Sequence, residues 1–503
     1  MDQYQITTKA GTYIGTKENS GVLSFKGIPF AQPPLGDLRW QPPQPLTVYD
    51  NKRRADIFPP APIQLNYPQH LADQMEEPIH IPISEDCLYL NVWVSDLTTP
   101  KKGILFWIYG GSYAIGHASR VQSRGEAFVA AHPDIMVVAP NYRLGVFGSI
   151  NLDFFDGSDQ YRCSNNLNLL DQRAALQWVR ENARLFGADP DTITLYGHSA
   201  GSNAICHHLA SRESLPLFRR AICQSSFLQG PPPRTLEESR AFSKKIFDYL
   251  GITTLDEALL ISSDRLLQAQ KQVFGEIYGS PVIDNVVVFD KEFDRMMDGT
   301  VSGKQIMIGY SNGERDSGFV DLDERESVEK VLKDNKRFLK GKSGPVEKYL
   351  AQHPDDDTKQ LCMTAQAELM MTIPAETMAR ALALHNDVYQ FQFSWADPAT
   401  NLRAPHGAPC PFVFGNQVPK SAPLHLKEQV QNTWASFITS GDPNNDLIPN
   451  WPLYTPRGGV VMNIDEVWNP IDDFWATDYP IFAPLYEDYR ELEEVLENDN
   501  QTV

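Results

Sequence analysis

The sequence predicts an α/β protein: a large, mostly parallel sheet flanked by helices. Three observations carry this. Short apolar runs rich in β-branched and aromatic residues recur along the chain, at Leu88 to Val94, Gly103 to Tyr109 and Ile135 to Tyr142. Between such runs lie longer segments with helical periodicity; over 171–186, Ala174, Ala175, Trp178, Val179, Asn182 and Phe186 share one face. Strand then helix, repeated, is the signature of a parallel sheet covered on both faces.

The first 50 residues are rich in turns, at Gly27-Ile28-Pro29, Pro33-Pro34-Leu35-Gly36 and Pro42-Pro43. After the helix over 171–186, the β-branched run Thr192 to Tyr196 is followed at once by small residues and a helix over Gly201 to Ala210. Residues 230–300, with Pro231-Pro232-Pro233 and an amphipathic stretch at 236–250, read as a helical insertion above the sheet. Strands resume at Gln305 to Gly309 and Val388 to Phe393. A helix over 424–438 then carries Leu426, Val430, Trp434, Phe437 and Ile438 inward and stops near Gly441. The acidic stretch Glu487 to Asp499 reads as a solvated final helix. The whole, 1–503, reads as one domain.

Composition narrows the function. The chain has 503 residues, 42% of them hydrophobic, which excludes wholesale disorder. Its net charge of −20 argues against nucleic acid and anionic membranes, whose phosphates would be repelled. No apolar run approaches the roughly 20 residues of a membrane span. The start, Met1-Asp2-Gln3-Tyr4-Gln5, carries no secretory pattern, and the six cysteines fall at no metal or redox spacing. A reducing cytoplasm is the expected compartment.

Two segments match G-x-S-x-G: Gly197-His198-Ser199-Ala200-Gly201 and Gly309-Tyr310-Ser311-Asn312-Gly313. Chance supplies roughly 0.1 such matches per chain, so context must decide. A nucleophile elbow needs a strand, a strained turn crowded by small residues, and a helix. Ser199 has all three, whereas Ser311 precedes Glu314-Arg315-Asp316-Ser317-Gly318, which offers no helix. Ser199 is therefore the candidate nucleophile and Ser311 a loop residue. A serine hydroxyl needs a base, and in this architecture the acid and then the histidine follow in chain order. Among the histidines beyond Ser311, His385 and His425 fall in helix-like segments and His353 precedes a proline and three aspartates. His406, in Ala404-Pro405-His406-Gly407, sits in a loop after a strand and is the candidate base. For the acid, Glu314, Asp316 and Asp321 compete, with spacing from the strand favouring Glu314. Oxyanion donors should come from the N–H of Ala200 and from a tight small-residue loop after an earlier strand, for which Trp107-Ile108-Tyr109-Gly110-Gly111-Ser112-Tyr113 is the candidate. His207-His208 lacks further ligands at suitable intervals, so no metal is expected. No cofactor is expected either.

These residues resemble the type-B carboxylesterases, the α/β-hydrolase group that includes bacterial para-nitrobenzyl esterases and the cholinesterases. The resemblance runs almost end to end. It takes in Phe25-Lys26-Gly27-Ile28-Pro29-Phe30-Ala31, Ser84-Glu85-Asp86-Cys87-Leu88-Tyr89-Leu90-Asn91 and Asn141-Tyr142-Arg143-Leu144-Gly145. It continues from Leu169-Leu170-Asp171-Gln172 to Gly201, through Pro411-Phe412-Val413-Phe414-Gly415 and on to Gly441-Asp442-Pro443. It implies an α/β-hydrolase fold with helical insertions over the active site. By position it assigns the nucleophile to Ser199, the acid to Glu314, the base to His406, and the oxyanion donors to Gly111, Ser112 and Ala200.

The departures from the family pattern are informative. The family's Glu before the nucleophile is His198 here, which removes a carboxylate and should alter the pH dependence unless the imidazole merely packs. Ser112 replaces a third oxyanion glycine, and Arg315 replaces the glycine after the acid. The cysteine that pairs with the equivalent of Cys87 is replaced by Pro62, so that disulfide should be absent. No Trp lies between residues 61 and 86, where cholinesterases present a platform for quaternary ammonium, so a cholinesterase is disfavoured. The expected activity is hydrolysis of small uncharged carboxylic esters through an acyl-enzyme. An amidase or carbamate hydrolase on the same triad is the alternative, and a non-catalytic interaction protein a more remote one. Tyr113, Phe227 and Leu228 are candidate pocket residues, with core packing the competing reading.

Overall fold

The computed structural model describes residues 4–48, 52–66, 82–228, 233–275, 279–336, 339, 341–400, 402–471 and 479–500. Among them, eleven strands form the main sheet: β1 (Thr16–Lys17), β2 (Leu23–Pro29), β3 (Tyr89–Val94), β4 (Gly103–Ile108), β5 (Ile135–Pro140), β6 (Ile193–His198), β7 (Arg220–Gln224), β8 (Gln305–Ser311), β9 (Asp387–Phe393), β10 (Val461–Ile464) and β11 (Asn469–Ile471). Their spatial order is β11-β10-β9-β8-β7-β6-β4-β5-β3-β2-β1. Every pair from β10 across to β5 is parallel, and antiparallel strands close both ends. Parallel strands need covered faces, which is why β4 and β5 are buried at every residue.

The cover is helical. Leu167–Asn182 continues into a tighter turn, Ala183–Phe186, and ends at Gly187 in the left-handed region (φ 74°). Ala200–Ala210 packs on β6 and β7, and Leu424–Ser440 packs on β4 and ends at Gly441 (φ 87°), a backbone angle that only glycine adopts without strain. Within the stretch read as an insertion, helices run over Leu236–Leu250, Leu255–Leu260 and Ser263–Phe274, the first two opened by capping boxes from Thr235 and Thr254. They build a second core with Trp40, Val146, Phe147 and Leu170. Arg39 ties this core to the amino-terminal segment, donating to Glu85 and to the carbonyls of Leu259 and Ile261. The triple proline reaches into 229–232, outside the described residues.

Several readings need correction. Between β8 and β9 the chain forms helices over Glu324–Asp334, Gly344–Gln352, Thr358–Ala367 and Ile373–Leu382, around a third core, which the strand-to-strand reading passes over. The turn-rich amino terminus also holds a strand pair, Gln5–Thr8 with Gly11–Ile14. His385 lies in the turn after the helix ending at Leu382, with its Nε2–H donated to the Met297 carbonyl. The helix Glu487–Asn500 is not solvated all round. Leu492 and Leu496 enter the main core, and Arg380 pairs with Glu493 at 2.6 Å.

Candidate active site

In a parallel sheet the carboxyl ends of all strands lie on one edge, so loops leaving β4, β6, β8 and β9 converge there. The chain goes from β4 to β5 on one side and then to β6 on the other, which opens a crevice beside β4. The oxyanion candidates follow β4, and the candidate nucleophile, acid and base follow β6, β8 and β9.

At the end of β6 the chain turns sharply. Ser199 has φ 56° and ψ −127°, a strained backbone for a residue with a side chain, and the helix starts at Ala200. Its flanking glycines are sterically required: a Cβ on Gly197 would stand 2.4 Å from Gly201, and one on Gly201 would stand 1.9 Å from the Ile108 carbonyl oxygen. The turn is held from β7, since Ser199 N–H donates to the Gln224 carbonyl (2.9 Å) and Ser202 Oγ donates to that of Ser226 (2.5 Å). The Ser199 side chain is partly exposed, and its hydroxyl has no hydrogen-bond partner among the described residues. No hydrogen bond joins Ser199 to His406 among the described residues; in hydrolases such bonds often form only when substrate is bound.

Glu314 is 2% exposed. One carboxylate oxygen accepts the Ser311 N–H at 2.7 Å, and the other accepts the Nδ1–H of His406. This contact places the proton on Nδ1 and a lone pair on Nε2. The acid and base loops are also stitched to each other. Gly313 N–H donates to the Ala404 carbonyl (2.9 Å), and Ala404 N–H donates to Asn312 Oδ1 (3.0 Å). Arg403 grips Asp316 with Nε at 2.9 Å and Nη2 at 2.7 Å. Of the three acid candidates, then, Glu314 meets His406, Asp316 is taken by Arg403, and Asp321 is exposed. Sequence reasoning missed Arg403, Asn312 and the part played by Ser311, whose second G-x-S-x-G match closes the acid loop through its backbone. That short spacing between match and acid was the available signal.

The loop after β4 holds Gly111 at φ 126°, where a Cβ would stand 2.0 Å from the Ile115 carbonyl oxygen, and Ser112 at φ 54°. The N–H groups of Gly111 and Ser112 donate to no acceptor among the described residues, and Ala200 is the first residue of its helix. That leaves three backbone donors uncommitted at this edge. The pocket candidates are less available. Tyr113 Oη donates to Asn203 Oδ1 (2.8 Å), and Asn203 Nδ2 donates to the Phe227 carbonyl (2.9 Å). Tyr113 is 4% exposed, Phe227 has no exposed surface and Leu228 only 7%, so all three are buried.

Elsewhere, His207 donates Nδ1–H to Glu292, and His208 bridges Ser214 and Gln172. No group of three or more His, Cys, Asp or Glu suited to a metal occurs among the described residues. All six cysteines are free, Cys87 included, while Pro62 lies in the short strand Ala61–Pro62. Most of the stretch where a cholinesterase platform would fall, 67–81, lies outside the described residues. No described helix is long and apolar enough to cross a membrane.

A strained serine elbow, a glutamate–histidine pair and three N–H groups without acceptors thus gather at one edge of a sheet of the α/β-hydrolase class. Comparison with known proteins narrows this. The model of the carboxylesterase family matches residues 2–478, and the chain belongs to that family. It is 32% identical to the para-nitrobenzyl esterase of Bacillus subtilis (strain 168), over 93% of this chain and 96% of that one. It is 29% identical to the acetylcholinesterase of Electrophorus electricus, over 92% and 85%. Among solved structures, a carboxylesterase of Geobacillus stearothermophilus superposes with a TM-score of 0.81 at 31% identity, covering 95% of this chain and 99% of that one.

Proposed function

We propose that the chain is a serine carboxylesterase that hydrolyses small uncharged carboxylic esters, with Ser199, His406 and Glu314 as its triad. Ser199 Oγ attacks the ester carbonyl while His406 Nε2 takes its proton, and Glu314 holds the imidazole and offsets the imidazolium charge. The N–H groups of Gly111, Ser112 and Ala200 receive the oxyanion. His406 then protonates the leaving alcohol, and water releases the acid by the same steps in reverse. The observation that carries this reading is the buried Glu314 carboxylate bonded to His406 beside the Ser199 elbow.

Uncharged substrates fit the charge beside the elbow: Glu314 is committed to His406 and Asp316 to Arg403, so neither of these two carboxylates is left for a cation. The six free thiols, five of them buried, support a reducing cytoplasm as the compartment. We read the whole chain as one catalytic domain with its helical additions. The test is a hydrolysis screen across acyl lengths and across ester, carbamate and amide leaving groups. Short-chain aryl esters are expected to be turned over fastest, with activity abolished in Ser199→Ala. Faster turnover of carbamates or amides would favour the alternative bond class, and retained hydrolysis in Ser199→Ala would overturn the reading.

A further inference from the structure

The imidazole of His198 packs beside that of His406. Its ring centroid is 4.4 Å from that of His406, with the planes at 47°. Two glycines bracket it. A Cβ on Gly407 (φ 85°) would stand 3.0 Å from Cε1 and 3.2 Å from Nε2 of His198, and one on Gly110 would stand 3.3 Å from Nδ1. Gly407 belongs to the base loop and Gly110 to the oxyanion loop, so one ring touches both loops and the base itself. Nε2 is fully buried and has no hydrogen-bond partner among the described residues. The ring is therefore held by shape, against two bare Cα atoms, rather than by hydrogen bonds.

We propose that His198 is a positioning residue: a wedge that sets the base loop against the oxyanion loop and so fixes His406 relative to the Ser199 elbow. The inference rests on the triad reading above. Burial, with the charges of His406 and Arg120 added, holds the His198 ring well below the usual histidine range, so it stays uncharged at working pH. The charged and titratable groups around the pair include Glu314 and Arg315 on the acid loop, Arg120 beyond the oxyanion loop, and Cys410 on the helix after the base. Arg403, on the base loop, is neutralised by Asp316. The His406 imidazolium therefore forms against a single carboxylate.

The test is a series at position 198, assayed on a short-chain aryl ester, with thermal unfolding run on each variant. His198→Ala empties the niche, and the misplaced base should lower kcat by about 10–100-fold while KM changes little. His198→Phe restores the ring without its nitrogens and should recover kcat to within about threefold of the parent. His198→Glu places a second carboxylate against His406, which favours the imidazolium and should move the acid limb of kcat/KM up by about one pH unit. A His198→Ala variant within about twofold of the parent in kcat, or a Phe variant as slow as the Ala variant, would overturn the wedge. If His198→Ala does not fold, the Phe and Glu variants carry the test, and an unmoved acid limb in His198→Glu overturns the contact with the base. Ser199→Ala in the same assay separates the two failures. If it is inactive while the 198 series is flat, only this inference fails; if it is active, the triad reading fails first.

Discussion

Removal of the Arg403 side chain should weaken both fold and catalysis, and the structure sets the size of each effect. Arg403 holds Asp316 by two charge-assisted hydrogen bonds and reaches Thr364 Oγ1 with Nη1 at 3.2 Å. The Asp316 side chain is 3% exposed and that of Arg403 28%. Breaking a fully buried pair costs about 3–5 kcal/mol, because one charge is left uncompensated. Arg403→Ala opens a path for water to Asp316, so about 2–3 kcal/mol is the better figure. For 503 residues at about 2.1 cal/mol/K each, the unfolding entropy is about 1 kcal/mol/K, and the melting temperature should fall by about 2–3 °C. The pair also joins the acid loop to the base loop, so kcat should drop by about 10–100-fold. Thermal unfolding and steady-state hydrolysis of an aryl ester measure the two effects. The double variant Arg403→Ala/Asp316→Ala, which removes the orphaned charge, should recover part of the melting temperature but not kcat. Unchanged Tm and kcat in Arg403→Ala, or a double variant no more stable than the single one, would refute this reasoning.

Two further outcomes are expected. Glu314→Gln keeps the side-chain shape but allows the wrong His406 tautomer, so kcat should fall by about 10³–10⁴-fold with KM nearly unchanged; a loss under about tenfold contradicts the assignment. Stability should decline from pH 7.5 to 5. Burial lowers His117 and His208 to about 3 and His198 well below its usual value, so these rings stay neutral in the fold and bind protons on unfolding. With unfolded values near 6.5, the unfolded chain takes up more protons below that pH, and each ring's contribution is lost as pH falls from about 6.5 toward 3. By pH 5 this amounts to about 2 kcal/mol for each of His117 and His208, or several degrees in Tm together with His198, and a flat Tm over that range would contradict it.

The sheet is legible in the sequence because its central strands are buried on both faces and so read as unbroken apolar runs, as in Ile135-Met136-Val137-Val138. The elbow is legible because packing dictates its small residues: Gly201 has no room for a methyl group against Ile108. His406 follows from chain order and from its place after a strand. What escapes the sequence is pairing across distance. Nothing local marks Arg403 as the partner of Asp316, 87 residues earlier. Three carboxylates within eight positions look alike until the fold shows which one faces the base. Of the helices over 324–382, the first two bury only narrow faces, at Ser327 and Val331 and at Val346 and Tyr349, whereas Ile373–Leu382 is buried at every residue and so lacks a polar face; the capping box at Asp323 and Glu326 marks the first of them.

The most direct measurement is covalent labelling with an organophosphonate ester, followed by intact mass and peptide mapping. The account predicts one adduct per chain, on Ser199, formed at a rate that collapses in His406→Ala while the variant remains folded. Labelling on any other residue, or labelling of Ser199 at full rate without His406, would contradict it.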